Sequence, residues 1–519
     1  MEDSSPTLEV RCLASEVIKP SAPPPYPTSV IRSCKVDHVI ANIYVRTLHF
    51  YCHQDRAFCT NDVLKRSLAQ TLSVFYPLAG TLTPEYDILC NGDGALFVEA
   101  ESDSNLSDLN DLIPHPRLLK LTPNIDLSIE VTMRPVLMVQ VTRFKCGSVC
   151  LGVAMEHHVA DGTSAVLFLR EWSKAARGET ISFEPSFDKA WLRPDSCPPM
   201  KPRFHHEEYL LLEELLPRKP PSKLETNGHT ADVDEAKGEL LPLKPLNNSE
   251  PNGHTVDVYE AKREELSPRK PSSKLETNRQ TADVYAAEGE ELEVKMFELS
   301  WNLLEKLKVE AGGKLTTYET LSAHVWKCCC EARELEDAVE SVIMTVVDGR
   351  ARLGGHHQNF IGNAIFNFIH KLRVSEIRRM GLAELGESLA SALRSADGER
   401  CRSAIDFLAG CSDEQLRKFM KGPHAFRDRN LGIISWAKMP FVELDFGSGE
   451  AFSAIPAVMG WEGLAYLIPS AKLPSPTHTP DTKGKRRSLS LCITLRRRHM
   501  PTFASLVTRM AEEKAVYRS

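Results

Sequence analysis

The residues most able to do chemistry stand together in one short segment, Glu156-His157-His158-Val159-Ala160-Asp161-Gly162. The segment follows an apolar run that is typical of a β-strand and precedes a run with helical periodicity, so the scaffold can hold a side chain here rigidly. A histidine with one free ring nitrogen titrates near neutral pH and can remove a proton from a substrate. We therefore take His157 as a candidate general base, with a hydrogen-bonded structural histidine as the alternative.

Asp161 lies four residues after His157 and next to Gly162, and it cannot easily reach the same substrate. We expect it to pair with a basic group and to fix the shape of the loop. The adjacent histidines His157 and His158 could suggest a metal site, but neighbouring residues on a strand point to opposite faces. No third ligand follows at helical spacing, so the sequence predicts no metal.

The periodicity of the flanking sequence predicts the elements that position this segment. We predict strands over 45–51, 136–144, 148–155 and 342–347, and helices over 62–75, 163–176 and 317–331. The turn Lys145-Cys146-Gly147 would join two of these strands in one sheet, and Gly178 would end the helix that follows Asp161. The mixture of β-rich runs and helical runs predicts an α/β protein.

One stretch differs in composition from the rest of the chain. Residues 215–292 contain no Phe, Trp, Ile, Met or Cys, and they repeat the segment Asn227-Gly-His-Thr-Ala-Asp-Val with small changes at Asn252 and Asn278. Each repeat has too few apolar residues to form a core. We predict an N-terminal domain over 1–212, a repetitive and mostly disordered linker over 213–292, and a C-terminal domain over 293–519.

Composition limits the kind of protein this can be. The chain has 519 residues, a net charge of −7, 42% hydrophobic and 26% charged residues, which is typical of a globular protein. The acidic balance argues against nucleic acid or a membrane surface as the main partner. No signal segment and no run of about 18 apolar residues is evident. The 14 cysteines are scattered, as expected of reduced thiols. We expect a cytoplasmic protein.

Further motifs occur in a fixed order along the chain. They are Tyr76-Pro-Leu-Ala-Gly80, His157-x-x-x-Asp161, Asp348-Gly-Arg-Ala-Arg-Leu353, Asn430-Leu-Gly-Ile-Ile-Ser-Trp436 and Asp445-Phe-Gly-Ser-Gly449. In this order and at this spacing the chain resembles the plant BAHD family of coenzyme A-dependent acyltransferases. The resemblance covers nearly everything except the repetitive stretch.

The resemblance implies two similar α/β domains, each like chloramphenicol acetyltransferase with a mixed sheet, and a solvent channel between them. Acyl-CoA would enter from one end as a co-substrate, the acceptor from the other, and no cofactor would be bound. His157 would take the acceptor's proton, and the indole N–H of Trp436 would stabilise the oxyanion. Asp161 and the Asp445, Gly447 and Gly449 segment would hold the loop and the domain seam. The family is mostly monomeric, which implies a monomer here.

Within the family, the chain is most similar to the hydroxycinnamoyl-CoA:shikimate/quinate group. The segments that carry this likeness are Phe144 to Gly147, Tyr318 to Lys327 and, more weakly, Phe204 to Tyr209. It implies a transferase that moves a hydroxycinnamoyl group to a hydroxyl, with shikimate or quinate as the first acceptors to consider.

Three positions depart from that group's pattern. Lys421 stands where the group has an arginine that grips the acceptor carboxylate, and a lysine lacks the bidentate fork. Ile434 stands where a threonine contacts shikimate, and its side chain cannot form a hydrogen bond. Ser448 replaces the tryptophan of the family's DFGWG motif. We therefore expect intact catalysis and an altered acceptor.

Two other interpretations stay open on the sequence. The enzyme could acylate an amine such as tyramine, agmatine or spermidine, because Lys421 and Ile434 weaken the case for shikimate. The chain could also be a catalytically silent protein that binds CoA esters, although it keeps His157, Asp161 and Trp436 together. Arg350 and Arg352 could either meet the phosphates of CoA or form a salt bridge that braces a loop.

Overall fold

The computed structural model describes residues 8–23, 29–52, 58–109, 112–209, 291–419, 426–471 and 488–512. All of them belong to one compact unit. The predicted linker lies outside these ranges except for its last two residues, of which Leu292 begins a strand. Lys421 lies outside them as well.

The described strands before residue 210 belong to a first sheet of six strands or to a separate sheet of three strands. Their bounds are β1 Arg11–Ile18, β2 Val30–Ile31, β3 Tyr44–Tyr51, β4 Thr81–Leu82, β5 Ile88–Leu89, β6 Ala95–Ser102, β7 Leu137–Phe144 and β8 Val149–Glu156. The small sheet has the order β2-β5-β4. In the first sheet β6 and β7 run parallel and the other pairs run antiparallel, so the sheet is mixed.

The second sheet is built from the later part of the chain. The bounds there are β9 Leu292–Leu299, β10 Glu340–Asp348, β11 Ile365–Arg373, β12 Leu431–Ser435, β13 Ser453–Pro456, β14 Leu464–Pro469 and β15 Leu489–Arg496. The second sheet has the order β11-β10-β12-β14-β15-β9, in which β12 is parallel to both of its neighbours. β13 instead pairs with β3 and completes the first sheet, in the order β1-β6-β7-β8-β3-β13.

Helices cover the sheets on both halves. Their bounds are α1 Lys35–His38, α2 Asn61–Val74, α3 Gly162–Ala176, α4 Trp301–Glu310, α5 Thr317–Ala332, α6 Val374–Arg379, α7 Leu382–Arg394, α8 Gly398–Gly410, α9 Asp413–Lys418 and α10 Met500–Glu512. None of the helices in the described part of the chain combines the length and the apolar character of a membrane span.

Each element that the periodicity predicts is present, with ends within two residues of the predicted ones. Gly178, with φ of +80°, lies just beyond the end of α3. The α/β architecture with two mixed sheets, which the family resemblance implies, is confirmed as well.

The core of the first half holds α3 in place, and α3 begins directly after Asp161. Phe168 and Trp172 of α3 are buried, and the indole Nε1 of Trp172 donates to the carbonyl of Leu64 in α2 at 3.2 Å. Burial of one such apolar side chain as Phe168 contributes about 1.5–3 kcal/mol. The helix start that carries the candidate site is therefore anchored to a packed core.

Candidate active site

His157 directly follows the last residue of β8, and its main chain is fixed from two sides. Its N–H donates to the carbonyl of Ile43 at 2.9 Å. Its carbonyl accepts from the side-chain amide of Asn363 at 2.8 Å, a residue that comes from the other half of the chain. The backbone that carries the imidazole is thus held by both halves.

The imidazole of His157 is turned to a cavity, and no other described residue hydrogen-bonds to it. Its Nδ1 is buried and has no hydrogen-bond partner on another described residue. Burial lowers the pKa of His157 below the usual 6.5, because removal from water disfavours the charged ring. The ring is therefore neutral at neutral pH, which is the form that can accept a proton.

His158 faces away from the cavity, as the alternation along a strand predicts. Its Nδ1 donates to Glu156 Oε1 at 2.9 Å, and its main-chain N–H donates to Glu156 Oε2 at 2.7 Å. Its ring stacks on Tyr86 with centroids 3.9 Å apart. Both His158 and Glu156 are buried, so this pair closes the turn around His157 and takes no part in the cavity.

Asp161 caps α3 and pairs with a buried arginine. Its Oδ1 accepts from Ser164 N at 2.9 Å, and its two oxygens accept from the guanidinium of Arg350 at 2.8 and 3.1 Å. Oδ2 also accepts from Ala364 N at 3.0 Å. The hydrogen bonds to this carboxylate are therefore made within the protein. The side chains of Asp161 and Arg350 are 0% and 1% exposed. The carboxylate therefore joins the His157 loop to the second half of the chain.

The two arginines of the Asp348 motif both make contacts within the protein. Arg350 donates to Asp161, as described above, and Arg352 donates to the carbonyls of Ala396 and Asp348. Each arginine thus braces the loop that follows β10.

A cavity of about 210 Å³ lies beside His157, with walls from both sheets and α3. Every second residue of several strands faces it, as expected where one face of a sheet lines a space. These residues are Val45 and Thr47 of β3, Val153 and Met155 of β8, Met344 and Val346 of β10, Ile365 and Asn367 of β11, and Tyr466 of β14. Their intervening neighbours in β10, such as Ile343, pack against helices of the second half.

Trp436 and Ile434 face the same cavity as His157, from β12 and the residue after it. The ring of Trp436 packs between Phe441 and Tyr466, with centroids 4.9 and 5.0 Å away. In the described part of the chain no acceptor takes up its indole N–H. The structure therefore brings together at one cavity four of the residues that the sequence singles out, namely His157, Asp161, Ile434 and Trp436.

The Asp445 segment lies apart from the cavity, where it shapes a tight loop. Asp445 Oδ1 accepts from the N–H groups of Gly447 and Gly449 at 2.7 and 2.9 Å, and these glycines have positive φ of 99° and 98°. These are backbone angles that favour glycine. Between them Ser448 leaves its Oγ buried without a partner, so the position where the family has tryptophan holds an unsatisfied hydroxyl.

Phe446 of the same loop fastens the second half to the core of the first. Its ring meets Trp172 edge-on at 5.0 Å, and it also contacts Tyr51 and Phe58. The loop therefore lies at the seam between the halves.

A family model described as the Transferase family matches residues 8–510. The chain is 30% identical to the shikimate O-hydroxycinnamoyltransferase of Nicotiana tabacum, over 96% of this chain and 98% of that one. The chain belongs to the BAHD acyltransferase family. It is also 30% identical to a hydroxycinnamoyl-CoA:5-hydroxyanthranilate N-hydroxycinnamoyltransferase of Avena sativa, over 96% and 99% of the two chains.

The fold agrees with a solved BAHD structure. Vinorine synthase superposes with a TM-score of 0.63 at 19% identity, over 96% of this chain and 98% of that one. BAHD enzymes use acyl-CoA as a co-substrate, so the protein is an acyl-CoA-dependent acyltransferase. Among the described residues no group of three or more His, Cys, Asp or Glu side chains is placed to hold a metal ion.

Sequence reasoning missed several residues of the cavity wall. Asn367 and Trp461 line the cavity, and Asn363 holds the carbonyl of His157. The alternation of Ile365 and Asn367 with buried Phe366 and Phe368 is a strand signal that could have placed Asn367 on the open face. Trp461 lies in a loop, and no periodicity marks it.

Proposed function

We propose that the protein transfers a hydroxycinnamoyl or related aromatic acyl group from its CoA thioester to an acceptor hydroxyl, with His157 as the general base. The observation that carries this proposal is a neutral imidazole, without a partner from another described residue, in a cavity that it shares with Trp436. A structural histidine of the kind considered above would be hydrogen-bonded instead, as His158 is.

In the proposed reaction His157 takes the proton of the acceptor as its oxygen attacks the thioester carbonyl. The new acyl–oxygen bond forms a tetrahedral oxyanion, which accepts a hydrogen bond from Trp436 Nε1. The carbon–sulfur bond then breaks, and the imidazolium returns the proton to the leaving CoA thiolate. Asp161 and Arg350 keep the loop of His157 in place during these steps.

Two classes of acceptor are compatible with the proposed reaction. Shikimate and quinate are the first candidates from the sequence. Of the two positions that argue against them, Lys421 lies outside the described residues and Ile434 lines the cavity. Transfer to an amine is the second candidate, because a relative of equal identity is named an N-hydroxycinnamoyltransferase. A silent CoA-ester-binding protein is a weaker third, since it would have no use for both His157 and Trp436.

The proposed division into domains 1–212 and 293–519 with a dispensable linker can be tested separately. Deletion of 215–292 should leave thermal stability and activity nearly unchanged, because the segment has too few apolar residues to add a core. A collapse of either property would contradict the division.

The transferase activity is tested by release of free CoA from p-coumaroyl-CoA with the purified full chain. Shikimate, quinate, tyramine and spermidine are offered in parallel. We expect acceptor-dependent thiol release that His157→Ala lowers by about 10²–10⁴, the range of general-base catalysis. His205→Ala is the matched control, because its side chain is 80% exposed and outside the cavity. Saturable binding of the CoA ester without release from any acceptor would favour the silent protein.

A further inference from the structure

The described wall of the cavity carries almost no charge. No lysine, arginine or glutamate is among its lining residues, and its one acid, Asp161, is already paired with Arg350. Among the described wall residues an acceptor carboxylate would meet no cation, and an acceptor ammonium group would meet no free carboxylate. A charge that is buried without a partner is strongly unfavourable.

The cavity is also small, so an acceptor inside it gives up most of its water. Its volume of about 210 Å³ lies below the roughly 300–1,000 Å³ of sites for drug-sized ligands. An acceptor in contact with these walls loses the water that would otherwise screen a charge that the walls do not neutralise. The lack of a counter-charge in the described wall therefore disfavours the binding of a charged acceptor.

Aromatic and sulfur-containing side chains dominate the second-half wall. Five aromatic residues line the cavity, namely Phe426, Trp436, Phe441, Trp461 and Tyr466. Phe426 and Trp461 stack with centroids 6.3 Å apart, and Met344 packs in the same cluster. Such walls offer flat apolar faces to a ring and polarizable contacts to its edge.

Two polar groups in this wall have no partner in the described part of the chain. The indole Nε1 of Trp461 is buried without an acceptor. The side-chain amide of Asn367 faces the cavity from β11, and no hydrogen bond engages it. An amide can both donate and accept, so it suits a neutral hydroxyl or carbonyl group on a substrate.

We infer that the cavity beside His157 selects an uncharged, ring-bearing acceptor that the side-chain amide of Asn367 orients by a hydrogen bond. The inference rests on the proposed transferase activity and narrows its acceptor class. On the described wall it disfavours free shikimate, quinate and polyamines and favours neutral ring-bearing alcohols and aromatic amines.

The test compares acceptors in pairs that differ in one charge and keep the same nucleophile. The pairs are shikimate with methyl shikimate, phenyllactate with methyl phenyllactate, and putrescine with N-acetylputrescine. Release of CoA from p-coumaroyl-CoA is measured with the full chain. We expect kcat/KM to be at least tenfold higher for the member of each pair that carries one charge fewer, and highest overall for methyl phenyllactate, which carries none.

The other outcomes separate the two proposals. Release that depends on His157 but is equal within a pair, or favours the charged member, overturns the neutral acceptor and leaves the transferase standing. If kcat/KM is higher for shikimate than for methyl shikimate and Lys421→Ala abolishes that preference, the cation that pairs with the carboxylate comes from outside the described wall. No release with any acceptor overturns the transferase, and the narrower inference falls with it.

The role of Asn367 has its own test. Asn367→Leu should raise KM for methyl phenyllactate about fivefold to tenfold, the value of one hydrogen bond, and leave KM for p-coumaroyl-CoA unchanged. Asn367→Asp should improve putrescine relative to N-acetylputrescine, because it adds a carboxylate of the same shape. Asn359→Leu is the control, since that amide donates to Glu184 outside the cavity. An unchanged acceptor KM in Asn367→Leu overturns the assignment.

Discussion

Two segments of this protein carry adjacent histidines beside glutamates, and they are built in opposite ways. In the first, His158 is buried against Glu156 and His157 lies open to the cavity. In the second, His206 Nδ1 donates to Glu208 Oε1 at 2.7 Å, and its neighbour is an exposed residue. Each segment thus has one histidine fixed by a carboxylate two residues away and one histidine in another environment.

The second segment has the connectivity of a catalytic triad without access to a substrate. Ser403 Oγ lies 2.9 Å from His206 Nε2, and it accepts from the main-chain N–H groups of Arg203 and Phe204. The side chains of His206 and Glu208 are 0% and 1% exposed. Hydrogen-bond geometry alone therefore does not mark a catalytic histidine. His157 differs from His206 because its imidazole lines a cavity and hydrogen-bonds to no other described residue.

Asp161→Ala is expected to have the largest effect on stability, because it removes the ion pair with Arg350 that holds the loop of His157. The change leaves the guanidinium of Arg350, 1% exposed, without its carboxylate. Loss of one partner of a buried pair costs about 3–5 kcal/mol. Chemical denaturation should show this loss of unfolding free energy, and the folded fraction should also have a reduced kcat.

A surface pair provides the control for that experiment. Arg394 and Glu387 are each about 60% exposed, so Glu387→Ala should change stability by less than about 1 kcal/mol. If Asp161→Ala behaves like Glu387→Ala, the brace does not hold the loop of His157.

Trp436→Phe should lower kcat by about 10²–10³ at nearly constant stability. The substitution keeps a ring between Phe441 and Tyr466 but removes the indole N–H, and loss of one oxyanion donor has an effect of this size. Steady-state kinetics with a saturating acyl-CoA measures it. Trp461→Phe is the matched control, whose effect should fall on the acceptor KM. Equal losses of kcat in both variants would contradict the assignment to Trp436.

His206→Ala should cost about 1–3 kcal/mol of stability and leave kcat of the folded enzyme unchanged. The change leaves Ser403 and Glu208 buried with unsatisfied polar atoms. His157→Ala should do the reverse, because removal of its ring leaves no other described residue without a hydrogen-bond partner. Denaturation curves and kinetics on both variants decide between the two environments. A loss of kcat in His206→Ala without unfolding would give the buried triad a catalytic part.

The elements around His157 are predictable from the sequence because local patterns determine them. β7 and β8 are short, mostly apolar runs that are buried along nearly their whole length, and Lys145-Cys146-Gly147 supplies a turn between them in which Gly147 has a φ of +83°. Asp161 is a good helix cap, and its side chain does accept from Ser164 N. In each case the physical cause lies within a few residues of the element.

Contacts between distant residues could not be predicted in this way. Arg350 lies 189 positions from Asp161, and from the sequence it was equally suited to a CoA phosphate or to a loop brace. β13 joins the first sheet from residues 453–456, and nothing in its short apolar run indicates which sheet it enters. The cavity wall that includes Asn367 forms only when both sheets are assembled.

The smallest expected effect is a displaced pH midpoint, and it addresses His157 in the intact enzyme. Burial lowers the pKa of its imidazole below 6.5, and the neutral ring is the form that accepts the proton. The value of kcat/KM should therefore rise with pH through a midpoint below 6.5 and then stay level. At pH 6.5 it should already exceed half of its plateau, because most of the imidazole is then neutral.

A midpoint above 6.5 would mean that another group limits the reaction or that the ring gains a charged partner when substrate binds. A matched profile of His205→Ala should coincide with that of the unaltered enzyme, since an exposed histidine outside the cavity has no part in the proton transfer.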